Sequence, residues 1–133
     1  MNKIAILSLL FIMLLPVSIM KAQNCDIMYF CVRYDPDTGE IDCSDRFTVG
    51  NITVVVLLAT PVYFEKVFIQ LDKFNPRVND FEYYKDYEFD VEPDMDYIYF
   101  NDINFADLGM YRVFLLDPFK ETITSALVEI VSE

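Results

Sequence analysis

Ile98-Tyr99-Phe100-Asn101-Asp102-Ile103-Asn104-Phe105-Ala106-Asp107-Leu108-Gly109-Met110-Tyr111 is the stretch whose reading decides the fold. Ile98 and Phe100 are two residues apart and therefore share one face of a strand. Ile103 is the third inward apolar position, placed to plug the end of a core as the chain leaves the sheet. Asp107-Leu108-Gly109-Met110-Tyr111 reads as a corner, because Gly tolerates the backbone angles of a tight change of direction. Strand, corner and the start of the next strand follow one another without a gap.

Outward from that stretch the chain offers short runs with strand character. Ile27–Tyr34 is aromatic and β-branched. Asp35-Pro36-Asp37-Thr38-Gly39 is turn chemistry, and Glu40–Cys43 returns from it. After the polar break Ser44-Asp45-Arg46, Phe47–Asn51 leads into Ile52–Ala59, whose nearly unbroken apolar content predicts a strand buried on both faces or central in a sheet. Val62–Asp72 alternates Val67, Ile69 and Leu71 against Phe68 and Gln70. Phe81–Val91 alternates Tyr87, Phe89 and Val91 against Glu88, Asp90 and Glu92, a strand with one wet face. Tyr97–Asn101, Met110–Leu116 and Thr122–Val131 complete the series, the last two joined by the turn Asp117-Pro118-Phe119-Lys120. No window shows a sustained helical period. Seven to nine antiparallel strands at such spacing predict an all-β sandwich or barrel.

The pattern Ile98, Phe100, Ile103, Asp107-x-Gly109-x-Tyr111 resembles the E–F segment of immunoglobulin-like sandwiches, where a tyrosine corner pins the turn. The resemblance implies an Ig-like or fibronectin-like β-sandwich. It also implies that the Tyr111 ring packs inward while its hydroxyl bonds backbone upstream, and that Asp107 caps nearby backbone N–H groups. Two features of the family are missing. Val113 stands where the second cysteine of the inter-sheet disulfide would be, and the chain has no Trp, which leaves Phe68 as the substitute core aromatic of strand C.

The first 22 residues read as a secretory signal peptide: Lys3, then the apolar run from Ile4, the break at Pro16 and a small residue at Ala22. A retained anchor is the alternative. Residues 23–133 form one domain, large enough for a single core. They hold 8 basic and 22 acidic residues, a net charge of −14. That balance argues against nucleic acid and anionic membranes as partners, and no membrane span remains after cleavage. The expected location is secreted, periplasmic or at the cell surface. Export favours a disulfide among Cys25, Cys31 and Cys43. A hairpin about Asp37 brings Cys31 and Cys43 opposite each other, so their pairing is expected, with Cys25 left for a dimer; Cys25–Cys43 is the other choice.

The absence of His removes the usual general base and zinc ligand, and no phosphate-binding loop exists, so the chain reads as a non-enzyme without a cofactor. Two clusters remain. Asp35, Asp37, Glu40 and Asp42 crowd one hairpin and could hold calcium, although Gly39 comes one place early for an EF-hand loop. Tyr83, Tyr84, Tyr87 and Glu88 form an aromatic and acidic run that could contact a protein or carbohydrate partner. Asn51-Ile52-Thr53 is a glycosylation sequon. The expectation is an interaction module. The alternatives are a structural or assembly component of an extracellular or cell-surface complex, and a calcium-binding adhesion-type domain.

Overall fold

The computed structural model describes residues 25–133, so the signal-peptide segment lies outside the described residues. Nine strands follow one another: β1 (Ile27–Asp35), β2 (Gly39–Ser44), β3 (Arg46–Thr48), β4 (Gly50–Leu57), β5 (Lys66–Asn75), β6 (Asp80–Asp90), β7 (Tyr97–Phe105), β8 (Gly109–Leu116) and β9 (Thr122–Val131). They make a four-stranded sheet in the order β2-β1-β4-β7 and a five-stranded sheet in the order β3-β9-β8-β5-β6. Among the described residues there is no helix, so none is long and apolar enough to cross a membrane.

The core lies between the sheets, and alternation decides its membership. Ile52, Val54 and Val56 of β4 and Ile98, Phe100, Ile103 and Phe105 of β7 meet Val67, Ile69 and Leu71 of β5, Tyr111, Val113 and Leu115 of β8, and Val128 and Ile130 of β9. The same parity corrects one expectation. With Val67, Ile69 and Leu71 inside, Phe68 must face outward. It is half-buried on the outer surface with the Lys120 ammonium 3.2 Å from its ring centroid, not in the core. The aromatic filling comes instead from Phe100, Phe105 and Tyr111.

Two further differences concern pairing. β3 runs parallel to β9, with Arg46 opposite Glu129 and Thr48 opposite Val131, so the sheets are not wholly antiparallel. The polar break at Ser44-Asp45 allows this, because there the chain leaves the four-stranded sheet and crosses to the other. Asp45 accepts the Glu129 N–H at 2.8 Å as it arrives. β7 also runs on to Phe105. A bulge opposite Ile52–Val54, with Asp102 at φ 61°, shifts its register by one and returns Ile103 and Phe105 to the inside.

The corner that follows joins β7 to β8. Tyr111 is 0% exposed, and its hydroxyl donates to the Asp107 carbonyl at 2.7 Å. Its ring meets Phe105 edge-on at 5.0 Å and Tyr84 at 5.4 Å. Gly109 sits at φ 141°, and a Cβ there would come within 3.1 Å of Lys73 Cε. The Asp107 carboxylate accepts the Tyr84 hydroxyl at 2.6 Å rather than local backbone N–H groups.

Candidate functional site

Cys31 and Cys43 are register partners on β1 and β2, yet they remain thiols and the expected disulfide is not formed. Residues directly opposite on antiparallel strands hold their Cβ atoms about 4.5–5.5 Å apart. A disulfide needs about 3.5–4.5 Å. Cys31 is sealed from solvent and Cys43 is exposed. Burial, and then the nearby Cys43, push the Cys31 thiol above its ordinary value.

The four acids of the β1–β2 hairpin are not gathered into a calcium site. Asp35 turns onto the Asp37 N–H at 2.8 Å. Asp42, at φ 56°, breaks the strand alternation and faces solvent. Glu40 is taken by two phenols: Tyr29 donates to Glu40 Oε1 at 2.5 Å, and Tyr97 donates to the same oxygen. Among the described residues no group of three or more acidic or cysteine side chains is placed to hold a metal ion.

That pair of bonds shows what the hairpin does. β1 follows β4 from Ile27 to Cys31, then leaves it and pairs only with β2. The hairpin curls back over the outer face of the four-stranded sheet, because Tyr34 stacks on Tyr99 of β7 with ring centroids 3.9 Å apart. Val55 points to that outer face and is nonetheless fully buried beneath it. The two hydroxyls hold the Glu40 carboxyl below its usual value. Tyr29 is pushed up to about 12, by burial first and by Glu40 next, and Tyr97 is raised for the same reasons.

The run on β6 divides. Tyr83 is 62% exposed, with its hydroxyl donating to Asp86 at 2.9 Å, and Glu88 faces solvent in an ion pair with Lys66 at 2.5 Å. Tyr84 and Tyr87 turn toward the sandwich: Tyr84 bonds Asp107, and the Tyr87 hydroxyl accepts the Asn104 N–H at 3.0 Å. Two of the four therefore fasten the edge of one sheet to the other, and two are displayed.

The largest display of aromatic surface lies elsewhere. Three connections meet at one end of the sandwich: residues 58–65 between β4 and β5, 91–96 between β6 and β7, and 117–121 between β8 and β9. Phe119 is 77% exposed and Tyr63 is 69% exposed, the two highest values among the large apolar side chains described. The loops that carry them meet, since Phe119 packs edge-on at 6.4 Å against Phe64, the residue after Tyr63. The loops that carry them are braced by backbone bonds. Leu58 N–H donates to Asp96 O at 2.7 Å, Val62 N–H to Met95 O at 2.8 Å, Tyr63 N–H to Pro93 O at 2.9 Å and Val91 N–H to Glu65 O at 3.0 Å. Asp117 is buried, and its Oδ1 accepts the Phe119 and Glu121 N–H groups at 2.8 and 3.0 Å, which fixes the turn that lifts Phe119.

Tyr63 also sits at φ 64°, a left-handed conformation that costs a bulky residue about 1–2 kcal/mol. The same three loops carry Glu65, Glu92, Asp94, Asp96 and Glu121, and their one cation, Lys120, is folded back over Phe68. Sequence reasoning passed over this end. Pro118-Phe119-Lys120 reads as a turn, and nothing local says that its loop meets the one carrying residues 63 and 64.

No protein-family model matches the chain, and a search of curated proteins returns no match.

Proposed function

We propose that this chain is an exported, non-catalytic Ig-like interaction module that binds a protein or carbohydrate partner through its aromatic loop end. The observation that carries the reading is the pair Tyr63 and Phe119: two large aromatic rings held out into water on loops made rigid by backbone bonding. Exposed aromatics on a rigid scaffold lose little entropy when a partner covers them. A bulky residue kept in a left-handed backbone is the strain expected where function, not stability, selects the side chain.

The Ig-like assignment rests on strand order and on the corner. β1, β4 and β7 correspond to strands A, B and E. β9, β8, β5 and β6 correspond to G, F, C and C′, and the Tyr111–Asp107 bond lies between E and F. In that frame Val54, Val56 and Val113 stand in for the missing inter-sheet disulfide. The non-catalytic reading is supported by the lack of His and by the engagement of Glu40, Asp107 and Asp117 in structural hydrogen bonds.

The test uses Tyr63→Gly and Phe119→Ser. Glycine suits φ 64°, so Tyr63→Gly is expected to keep or raise stability, by up to about 1 kcal/mol. Pull-down from the source's own surface or periplasmic extract, together with a glycan array, is expected to yield a partner with the native chain and to lose it with both variants. Capture that persists at native levels in the folded double variant would refute the loop end as the binding surface.

A further inference from the structure

The two sheets end side by side in edge strands of opposite character. β6 closes the five-stranded sheet and β7 the four-stranded one; among the described residues neither has a strand on its outer side. β6 carries Glu82, Lys85, Asp86, Glu88 and Asp90 along its length, which is the usual protection of an edge against strand pairing. β7 lacks it. Tyr97-Ile98-Tyr99-Phe100-Asn101 is five residues without a charge, ahead of the bulge at Asp102. Beyond the bulge the gap is closed, because Asn104 N–H donates to Tyr87 across it. Before the bulge it is open. A groove of about 250 Å³ runs between β6 and β7, lined by Phe89, Val91, Met95, Ile98 and Phe100 with Asp90 on its rim.

We propose that the β7 edge over Tyr97–Asn101 receives an extended segment of a basic protein by strand addition, with apolar and cationic side chains alternating. The alternation follows from the geometry. A strand laid beside β7 sends every second side chain inward, onto Phe89, Val91 and Phe100 in the groove. The others lie on the outer face, next to Tyr97 and Tyr99. There Tyr99, 40% exposed and stacked on Tyr34, presents an aromatic ring to a cation; Glu40 lies against Tyr97, and Asp96 and Asp102 bracket the stretch in sequence. Lys66, the nearest cation on the β6 side, is already paired with Glu88. Charge also decides between occupants. A second copy of residues 23–133 would bring two net charges of −14 together along one seam. A basic segment gains where that copy loses. This site is independent of the loop-end reading, since it uses backbone and groove rather than Tyr63 and Phe119.

The probe is a synthetic seven-residue peptide alternating lysine and valine. Its controls are a glutamate–valine peptide and a lysine–valine peptide N-methylated at alternate amides, which cannot complete a ladder. On titration, the lysine–valine peptide is expected to shift the amide resonances of residues 97–101 and slow their hydrogen exchange at least tenfold, while both controls leave them unchanged. Tyr99→Lys, a charged substitution at an exposed edge position, is expected to weaken the peptide at least tenfold with the fold intact by circular dichroism. The proposal is overturned if the resonances of 97–101 stay still at millimolar peptide, or if the N-methylated peptide acts as well as the parent. It is equally overturned if the chain alone forms a concentration-dependent dimer that protects the same amides.

Discussion

Replacing Tyr111 by Phe removes the hydroxyl and keeps the ring. The ring of Tyr111 is fully buried and makes edge contacts with Phe105 and Tyr84; Phe keeps them all. What is lost is the 2.7 Å bond from the hydroxyl to the Asp107 carbonyl, together with the hydroxyl's interaction with the Tyr84 hydroxyl beside it. A net intramolecular hydrogen bond is worth about 1 kcal/mol. No larger penalty is due, because Asp107 is exposed and water can reach the carbonyl that is left behind. Tyr111→Ala, in contrast, empties a core position and should cost about 3–5 kcal/mol. Urea unfolding of the native chain and both variants measures the two differences at a common slope; the Phe variant should melt roughly 4 °C lower. The reasoning fails if Tyr111→Phe is indistinguishable from the native chain. It fails equally if the Phe variant falls as far as the Ala variant, for then the hydroxyl rather than the ring would hold the corner.

Alkaline titration followed by tyrosinate absorbance and by unfolding should show stability flat below about pH 10 and falling between about 10 and 12. In that window the unfolded chain gives up protons that Tyr29, raised from 10.0 to about 12, still retains. Glu40 works in the opposite sense: its carboxyl is depressed in the fold, so its contribution is present at neutral pH and is lost as pH falls through the folded value. Glu40→Gln should remove that acid-side dependence and loosen the hairpin over Val55, seen as faster exchange of the β2 amides. Brief treatment with a maleimide should modify Cys43, while Cys31, buried and held protonated, reacts only on unfolding; equal rates would contradict its burial. Gly109→Ala should cost about 1–3 kcal/mol, from φ 141° and the 3.1 Å approach to Lys73, measurable as a lower urea midpoint.

Much of the fold was legible because its determinants are local. Alternation in Ile98–Phe100 and Val67–Leu71 decided which side chains face the core. Gly109 and Tyr111 marked the change of direction between β7 and β8, where the Tyr111 hydroxyl bonds the Asp107 carbonyl. Phe68 was misplaced when the family's missing Trp was set above the parity of its own strand. The candidate surfaces were hardly legible, because they depend on residues far apart. Glu40 and Tyr97 are separated by 57 positions, and Phe64 meets Phe119 only after three loops converge. Tyr84 and Tyr87 look like display residues in sequence, yet the fold bonds them to Asp107 and Asn104. The cysteine pair failed for a finer reason: correct register is not the same as disulfide geometry.

The short parallel strand β3 has a consequence for the order of events in folding. Its partner β9 is the last strand described, and the Arg46 guanidinium reaches Glu129 across 83 positions at 3.0 Å. β3 therefore stays unpaired until β9 is available, while the β1–β2 hairpin and the β5–β6 pair need only their neighbours. Such long-range closure is slow compared with local pairing. The seam at β3 and β9 is thus a clasp that β9 fastens, and disrupting Glu129–Val131 would leave the hairpins but release the strand that locks β3 to the far end of the described chain.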